Sequence, residues 1–366
     1  MKDIYQVSFL FVFSVFIISC EDDPDDPPPL GMIGIESSRV VKNGIETVIH
    51  ISVDGLQSEA ITTLGSNKLT NFYYLRSNGS FTDNARTDET LTYTLPNHTS
   101  QLTGRPVNGV NGHQMIFNDD FEEFNLTLHN NAGSYITGVF DVVHDFGLST
   151  AMYVSKPKFR LFRKSWDSDH GAVDRVLPNS GRNKLDQYSY SSDTDNLVDQ
   201  AIEDMEDQRF NYVFIHLKDP DEQGHENNWS LETESHYLNA VERVDKKLNK
   251  VISFINTNMD YAGKTVLIIT ADHGGEYGTN NHIFSRLDGY LSSAVIPFYV
   301  YGVNVPAAMD LYAWNPGETF DPGNLYPYFS DDLQPVRNAD AANLIMELLG
   351  LPNVPGSSID KLSYPW

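Results

Sequence analysis

The chain has 366 residues, of which 40% are hydrophobic and 12% aromatic, and its formal net charge is −25. This length and composition suffice for one large α/β domain or two ordinary domains, and they argue against global disorder. The negative charge argues against a nucleic-acid or anionic-membrane partner, because such partners require a basic face on the protein.

The first twenty residues, MKDIYQVSFLFVFSVFIISC, contain an apolar run over 7–18. This run is shorter than the ~20 residues of a membrane-spanning helix, so it predicts a signal-peptide core. The ending FIISC resembles a bacterial lipoprotein box. That resemblance implies a lipidated Cys20 that anchors the protein to a bilayer of the cell envelope, on its periplasmic or cell-surface face. A plain secretory signal with an incidental cysteine is the alternative.

Three segments are predicted. Residues 1–19 are the signal peptide, and residues 20–43 are a tether that includes EDDPDDPPPLG, with five acids and four prolines. Such a composition cannot bury apolar surface and favours an extended, solvated chain. Residues 44–366 are the folded domain. Because Cys20 is the only cysteine, no disulfide forms within the chain.

The folded domain alternates β-branched runs with amphipathic runs. Strands are predicted within 47–56, 149–155, 211–217, 264–270 and 296–302. Helices are predicted over 136–147, 195–208, 231–257 and 339–350. This alternation predicts an α/β fold with a mostly parallel central sheet and helices on both faces. The less regular residues 156–194 and 303–336 are expected to hold a small cap or insertions.

Acidic residues follow three of the predicted strands. Asp54 ends the first strand, Asp219 and Asp221 follow the third, and Asp272 with His273 follows the fourth. Ligands of open α/β sheets bind beyond the carboxyl ends of the strands. We therefore expect these side chains to meet at one edge of the sheet.

Three aspartates and three histidines are candidate metal ligands: Asp54, Asp221, His225, Asp272, His273 and His282. Carboxylate and imidazole ligands without thiolates suit Zn²⁺, and six of them can supply two sites that each keep an open position. Each motif alone is more often a surface turn or loop, with Gly224 letting the backbone turn. Asp219 competes with Asp221, but only Asp221 has the Asp-x-x-Gly-His spacing. Three other histidines, His50, His98 and His113, are expected to pack in the core or to support the ligands.

Several motifs together resemble the alkaline phosphatase superfamily, most closely its type I phosphodiesterase/nucleotide pyrophosphatase branch. They are VDG at 53–55, TLPNHTSQLTG at 94–104, DEQGH at 221–225, ADHGG at 271–275 and a later histidine. The resemblance extends from about Val48 to the closing LLGLP. It implies an alkaline phosphatase-like hydrolase of phosphoric ester or phosphoanhydride bonds with two zinc ions. One ion would be held by Asp221, His225 and His282, and the other by Asp54, Asp272 and His273.

Thr94 matches the nucleophile of this family, directly before the x-Pro-Asn sequence. A metal activates such a hydroxyl, and a helix N-terminus favours the anion, so the resemblance implies a phospho-threonine intermediate. The alternative is that Thr94 is only a helix N-cap. Asn118 matches an asparagine that contacts phosphoryl oxygens. Asn111 is its rival, because the chain reads Gly112-His113 where the family commonly has His-Gly.

Residues 155–166, SKPKFRLFRKSW, form a cationic segment in this acidic protein. Phosphomonoesterases of the superfamily that use threonine carry a Lys-x-Arg pair in this region, and the nearest match is Lys156-Pro-Lys158. These lysines are therefore candidates for binding a small phosphoester substrate, and a solvated surface is the alternative.

The overall resemblance favours diester or pyrophosphate chemistry. Phosphomonoester and phosphonate hydrolysis with the same site are alternatives, and so is an inactive surface-binding lipoprotein that kept only the fold. A sulfatase would need a cysteine or serine followed by x-Pro-x-Arg, which the TLPNH sequence at 94–98 does not provide.

Overall fold

The computed structural model describes residues 44–120, 126–177, 180–282 and 291–365. The predicted signal peptide, the tether and Cys20 lie outside these residues. Within the described ranges, none of the helices has the length and apolar character needed to cross a membrane.

Eight strands among the described residues form one sheet in the order β4-β3-β5-β1-β6-β7-β2-β8. Their bounds are β1 Thr47–Val53, β2 Ser80–Arg86, β3 Thr150–Val154, β4 Gln187–Tyr190, β5 Tyr212–Leu217, β6 Thr265–Thr270, β7 Val295–Gly302 and β8 Met309–Asp310. Neighbours from β4 to β6 are parallel, whereas β7 is antiparallel to both β6 and β2. The predicted α/β fold with a mostly parallel sheet is confirmed.

Helices pack around the sheet in two groups. Their bounds are α1 Ser58–Leu64, α2 Thr70–Asn78, α3 Thr94–Thr103, α4 Leu128–Ala132, α5 Val139–Asp145, α6 Arg160–Ser165, α7 Thr194–Asp207, α8 Asp219–Asn227, α9 His236–Thr257 and α10 Asp340–Leu349. Helices α1, α2, α7 and α8 contact α9, and helices α3 and α5 contact α10. The amphipathic helix α9 buries its apolar stripe against the first group.

The three central strands β5, β1 and β6 are buried along their whole length. Parallel strands covered on both faces are expected to be apolar, and β1 and β5 depart from this rule near their carboxyl ends. Ser52 and His216 are buried there, and both have hydrogen-bonding partners. Polar groups are costly in a sheet interior unless they are paired, so these two positions mark the edge of the sheet that carries a site.

Two local predictions are wrong. Helix α9 begins at His236 rather than near 231, because the Ser235 hydroxyl accepts the Leu238 N–H at 3.2 Å and caps the helix there. The segment 221–225 is helical rather than a turn, since Gly224 lies inside α8. The expected insertions at 156–194 and 303–336 contain the short elements α6, β4 and β8.

Candidate active site and metal centre

The three aspartates predicted at the strand ends lie at one edge of the sheet. Asp54 follows β1, Asp221 lies in α8 directly after β5, and Asp272 follows β6, and all three are buried. The Asp221 N–H donates to the Asp54 carbonyl at 3.0 Å, and the Gly55 N–H donates to Asp272 Oδ1 at 3.1 Å. Backbone hydrogen bonds therefore hold the three carboxylates together.

The structure brings all six candidate ligands together. One group consists of Asp221, His225 and His282, and a second consists of Asp54, Asp221 and His273. In each group one ligand atom per residue lies within 4.8 Å of the others. Asp272 joins the second group, because its Oδ2 lies 3.3 Å from His273 Nε2. Asp221 thus belongs to both groups. The family resemblance, in contrast, assigned Asp221 to one metal ion and Asp54 with Asp272 to the other.

The histidine ligands are oriented by backbone carbonyls. Nδ1 of His225 lies 2.9 Å from the Asn280 oxygen, and Nδ1 of His273 lies 2.7 Å from the Gly274 oxygen. Nδ1 of His282 lies 2.7 Å from the carbonyl oxygen of Thr92. A carbonyl only accepts, so each Nδ1 donates and each Nε2 faces the cluster, which is the usual arrangement of a metal-binding imidazole. Burial lowers the pKa of His282 to about 3 and keeps its ring neutral, as a ligand must be.

Four polar atoms of the cluster are buried without a hydrogen-bonding partner in the described part of the chain. They are Asp54 Oδ1, Asp221 Oδ1, Asp272 Oδ2 and His273 Nε2. Leaving one such group unsatisfied costs about 1–3 kcal/mol, and more for a charged group. Three carboxylates and three imidazoles at one place, with these four atoms unpartnered, are a donor set that fits divalent zinc.

Lys156 lies among the carboxylates. Its ammonium is 2.6 Å from Asp54 Oδ2 and also contacts Asp221 Oδ2. His216 Nε2 donates to the same Asp54 oxygen at 3.0 Å. Burial alone raises the pKa of Asp54, but Lys156 and His216 hold it well below its usual value. Burial and the Asp54 charge raise the pKa of Asp272, so the cluster carries more carboxylate than its cations neutralise.

Thr94 is the first residue of α3, and Tyr93 is the N-cap without a side-chain capping bond. The alternative, in which Thr94 serves only as the N-cap of α3, therefore disagrees with the structure. Asn118 lies at this helix end, because its Oδ1 accepts the Leu95 N–H at 3.0 Å. Its rival Asn111 is exposed. The Asn118 amide thus lies at the first turn of α3, next to Thr94.

Two hydrogen bonds connect the Thr94 region with the candidate ligands. The carbonyl of Thr92, two residues earlier, accepts from His282. The carbonyl of Thr94 accepts from His98 Nδ1 at 2.7 Å, and that nitrogen lies 3.5 Å from Asp272 Oδ2. The start of α3 is therefore held between the two ligand groups.

The rival ligand Asp219 lies outside the cluster. Its Oδ1 accepts from the Thr194 hydroxyl at 2.9 Å and lies 3.5 Å from the Lys247 ammonium. His50 and His113 are buried away from the six ligands, against Tyr212 and Ser100 respectively.

A third group that could hold a metal ion consists of His144, Asp145 and Asp174. Lys184 is buried among these residues, 2.9 Å from Asp145 Oδ1 and in contact with Asp174. Its ammonium balances the carboxylate charge, so this group is a buried ion-pair network.

Trp229 is fully buried beneath the candidate ligands. A Cβ added to Gly55, Gly224 or Gly275 would overlap its indole ring. These three glycines belong to the three aspartate motifs that meet at the sheet edge. Their lack of a side chain thus makes room for one aromatic ring.

The same ring contacts all three candidate histidine ligands. Its centroid lies 5.6, 6.2 and 6.1 Å from the ring centroids of His225, His273 and His282. Trp229 reaches this position because it and Asn228 both have left-handed backbone conformations at the end of α8, with φ of 51° and 53°. Packing against the indole ring therefore restricts the positions of the three imidazole rings.

We expect Gly275→Ala to lower both the zinc bound per chain and the free energy of unfolding, the latter by about 1–3 kcal/mol. The added methyl group must displace the indole that supports the histidines. Elemental analysis and calorimetry measure the two effects. Ser253→Ala, on an exposed position of α9, should change neither. Wild-type zinc content and stability in Gly275→Ala would contradict this role of Trp229.

A family model described as type I phosphodiesterase/nucleotide pyrophosphatase matches residues 48–328. The chain belongs to this family. The match includes all six candidate ligands and Thr94. It supports a metal-dependent phosphoester hydrolase, which agrees with the donor set at the sheet edge. A comparison with curated proteins finds no significant match.

Solved structures of this fold include murine ectonucleotide pyrophosphatase/phosphodiesterase 5, with a TM-score of 0.56 and 15% identity over 84% of this chain and 96% of that one. That protein has also been solved as an inactive threonine-to-alanine variant in complex with AMP. A Vibrio parahaemolyticus protein of the alkaline phosphatase superfamily has a TM-score of 0.55 and 12% identity, covering 88% of this chain and 69% of that one. A protein in complex with its substrate D-glucosamine-2-N,6-O-disulfate has a TM-score of 0.56 and 14% identity, covering 87% and 79%. At these identities, the similarity establishes the fold.

Two residues of the candidate site, His216 and Trp229, were not identified from the sequence. His216 interrupts an apolar strand one residue before its end, beside the predicted ligands, and that irregularity was the available signal. Trp229 had no comparable signal. Its role depends on three glycines that are far apart in the sequence and meet only in the folded chain.

Proposed function

We propose that this protein hydrolyses phosphodiester or pyrophosphate bonds through a phospho-threonine intermediate on Thr94, with two zinc ions as cofactors. The main support for this proposal is the position of Thr94. Thr94 begins a buried helix between two ligand groups, and three carboxylate oxygens and one imidazole nitrogen of these groups have no hydrogen-bonding partner in the described chain. A nucleophile beside a set of free ligands is the arrangement that metal-assisted phosphoryl transfer requires.

Two divalent ions, when bound, supply Lewis-acid stabilisation of the entering and leaving oxygens and make a hydroxyl more acidic. The Thr94 hydroxyl gives up its proton and its oxygen bonds to phosphorus, while the bond from phosphorus to the leaving alcohol or phosphate breaks and the leaving oxygen takes up a proton. Water then cleaves the phospho-threonine and restores the hydroxyl. The N-terminus of α3 favours the negative charge that gathers at phosphorus. The Asn118 amide donates to a non-bridging oxygen, an interaction worth about 3–4 kcal/mol at comparable oxyanion sites.

Two further observations support phosphorus rather than sulfur chemistry. The murine neighbour became inactive as a threonine-to-alanine variant and was captured with AMP. The neighbour with a disulfated glucosamine shares only the fold, and this chain has Thr94 followed by Leu-Pro-Asn-His where a sulfatase needs a cysteine or serine followed by x-Pro-x-Arg.

Two partners are proposed, a small-molecule substrate and a lipid bilayer. The substrate is a small phosphoester, and lipidated Cys20 attaches the protein to a bilayer of the cell envelope. The net charge of −25 argues against nucleic acid as a ligand.

The test compares zinc-loaded protein on p-nitrophenyl phosphate, bis-p-nitrophenyl phosphate and a p-nitrophenyl phosphonate ester. We expect the highest kcat/KM on the diester. A clear preference for the monoester or the phosphonate would assign the same site to one of the alternative activities. Failure to hydrolyse any of the three by a well-folded, zinc-binding preparation would refute the hydrolase. A preparation without zinc would favour the inactive binding lipoprotein.

Lys156→Ala tests the choice between monoester and diester. The Lys156 ammonium contacts Asp54 and Asp221, so its loss should disturb the ligand set whatever the substrate charge. We expect kcat/KM to fall about 10–100-fold on both substrates, by factors that agree within about threefold. Lys250→Ala, on α9, should leave both rates unchanged. A much larger loss on the monoester would indicate that Lys156 recognises the extra charge of that substrate and would overturn the diester preference.

A further inference from the structure

A cavity of about 920 Å³ lies beside the candidate active site. Four cations of the segment 155–166 line it, namely Lys158, Arg160, Arg163 and Lys164, and Tyr188 lies there as well. Small-molecule sites in proteins have volumes of about 300–1,000 Å³. The cavity is therefore large enough for a substrate group beyond the bond that is cleaved.

Lys158 connects this cavity with the site. Its ammonium donates to the Asn118 carbonyl at 2.6 Å, and the Asn118 side chain binds the Leu95 N–H at the start of α3. Burial and the nearby Lys156 ammonium lower the pKa of Lys158, which reflects how close the two lysines are. The cavity thus begins next to the residues that surround Thr94.

The fold concentrates the positive charge on one wall. Arg160, Arg163 and Lys164 are three and four residues apart in α6, so they share one face of that helix. Phe162, on the other face, is buried in the core. The Arg163 guanidinium lies 5.2 Å from the ring centroid of Tyr188, which gives it a defined position in the cavity wall.

Carboxylates lie among the other lining residues. Asp167, Asp169 and Asp186 also line the cavity. Asp167 Oδ1 is already engaged, since it accepts the N–H groups of Asp169 and His170 and contacts the His170 ring at 2.8 Å. In a chain with a net charge of −25, the cationic face of α6 is a local exception that an anionic ligand would match.

We propose that this cavity is a subsite for a second anionic group, a carboxylate, sulfate or phosphate, on the part of the substrate that extends beyond the scissile phosphoester. The inference rests on the proposed function and narrows its substrate class to phosphoesters that carry another negative charge. Arg163 and Lys164 bind that charge, while Lys158 stands between the subsite and Asn118.

The test uses two diesters of 4-nitrophenyl phosphate that differ only in charge. The second ester group is 4-carboxyphenyl in one and the neutral, equally sized 4-carbamoylphenyl in the other. Dissociation constants are measured by calorimetry on zinc-loaded Thr94→Ala protein, which does not turn the ligands over. They are measured again after adding Arg163→Gln with Lys164→Gln. The matched control adds Arg209→Gln, an exposed arginine that precedes β5 at the opposite edge of the sheet.

We expect the carboxylate ligand to bind at least fivefold more tightly than the carbamoyl ligand. The ratio should fall below twofold in the Arg163→Gln/Lys164→Gln protein and stay unchanged in Arg209→Gln. Equal binding of the two ligands, or a preference that survives the double substitution, would overturn the subsite. Hydrolysis of both diesters by the wild-type protein is measured separately. A charge preference in binding without hydrolysis would leave the subsite standing and refute the proposed function.

Discussion

Thr94→Ala should reduce kcat by at least about 1,000-fold on every phosphoester that the protein hydrolyses, because it removes the oxygen atom of the proposed covalent intermediate. Binding of zinc should not change, since no ligand atom is lost. Alanine is also a good residue for the first turn of a helix, so α3 should form as before. Steady-state kinetics and elemental analysis on the same preparation separate the two effects.

Thr99→Ala is the matched control. Thr99 is five residues further along α3 and is also buried, but its hydroxyl only donates to the Leu95 carbonyl at 2.8 Å. This variant should keep kcat within a few-fold of wild type. Activity of Thr94→Ala within tenfold of the wild-type rate would refute the nucleophile.

Asp221→Asn should release zinc from both ligand groups, because Asp221 is the residue that they share. We expect zinc affinity to fall by at least about 100-fold, since even residues that only orient a ligand cost 10–100-fold. Activity at limiting zinc should fall with it. Competition against a chromophoric chelator measures the affinity directly.

Asp219→Asn supplies the comparison within the same helix. Asp219 is two residues earlier in α8 and binds Thr194 and Lys247 instead of the candidate ligands. Its substitution should leave zinc affinity unchanged. If Asp219→Asn loses zinc and Asp221→Asn keeps it, the ligand assignment is wrong.

Removal of zinc should also destabilise the wild-type fold. A ligand present at 100 times its dissociation constant contributes about 2.7 kcal/mol. For a domain of this size, that corresponds to a shift of about 5 °C in Tm. The same chelation should have little effect on Asp221→Asn, whose ligand groups are already broken.

The positions of the central strands in the sequence could be predicted because β1, β5 and β6 are continuous apolar runs, and each run is followed by an Asp or Asp-His sequence. When three such strands are parallel neighbours in a sheet, the aspartates that follow them lie close together at the carboxyl ends of the strands. The sequence therefore predicts where the candidate ligands lie in the fold. The strand β2, SFTDNAR, was missed because its polar residues give no buried run, and its place in the sheet depends on pairing with β7 and β8.

Other parts of the site depend on contacts between distant segments. Spacing alone left Asn118 and Asn111 as rivals, and only the folded loop brings Asn118 to the start of α3. Gly224 was expected to make a turn, whereas it lies inside a helix and makes room for Trp229. Local sequence indicates that a glycine is required, but the ring that requires it is found only in the fold.

Anomalous diffraction at the zinc edge, from crystals of the zinc-loaded protein, would show directly whether the six candidate ligands bind two metal ions. We expect two strong peaks at the carboxyl ends of the central strands. One lies among Asp221, His225 and His282, and the other among Asp54, Asp272 and His273. Fully ordered side chains at this edge with no anomalous peak among them would contradict it.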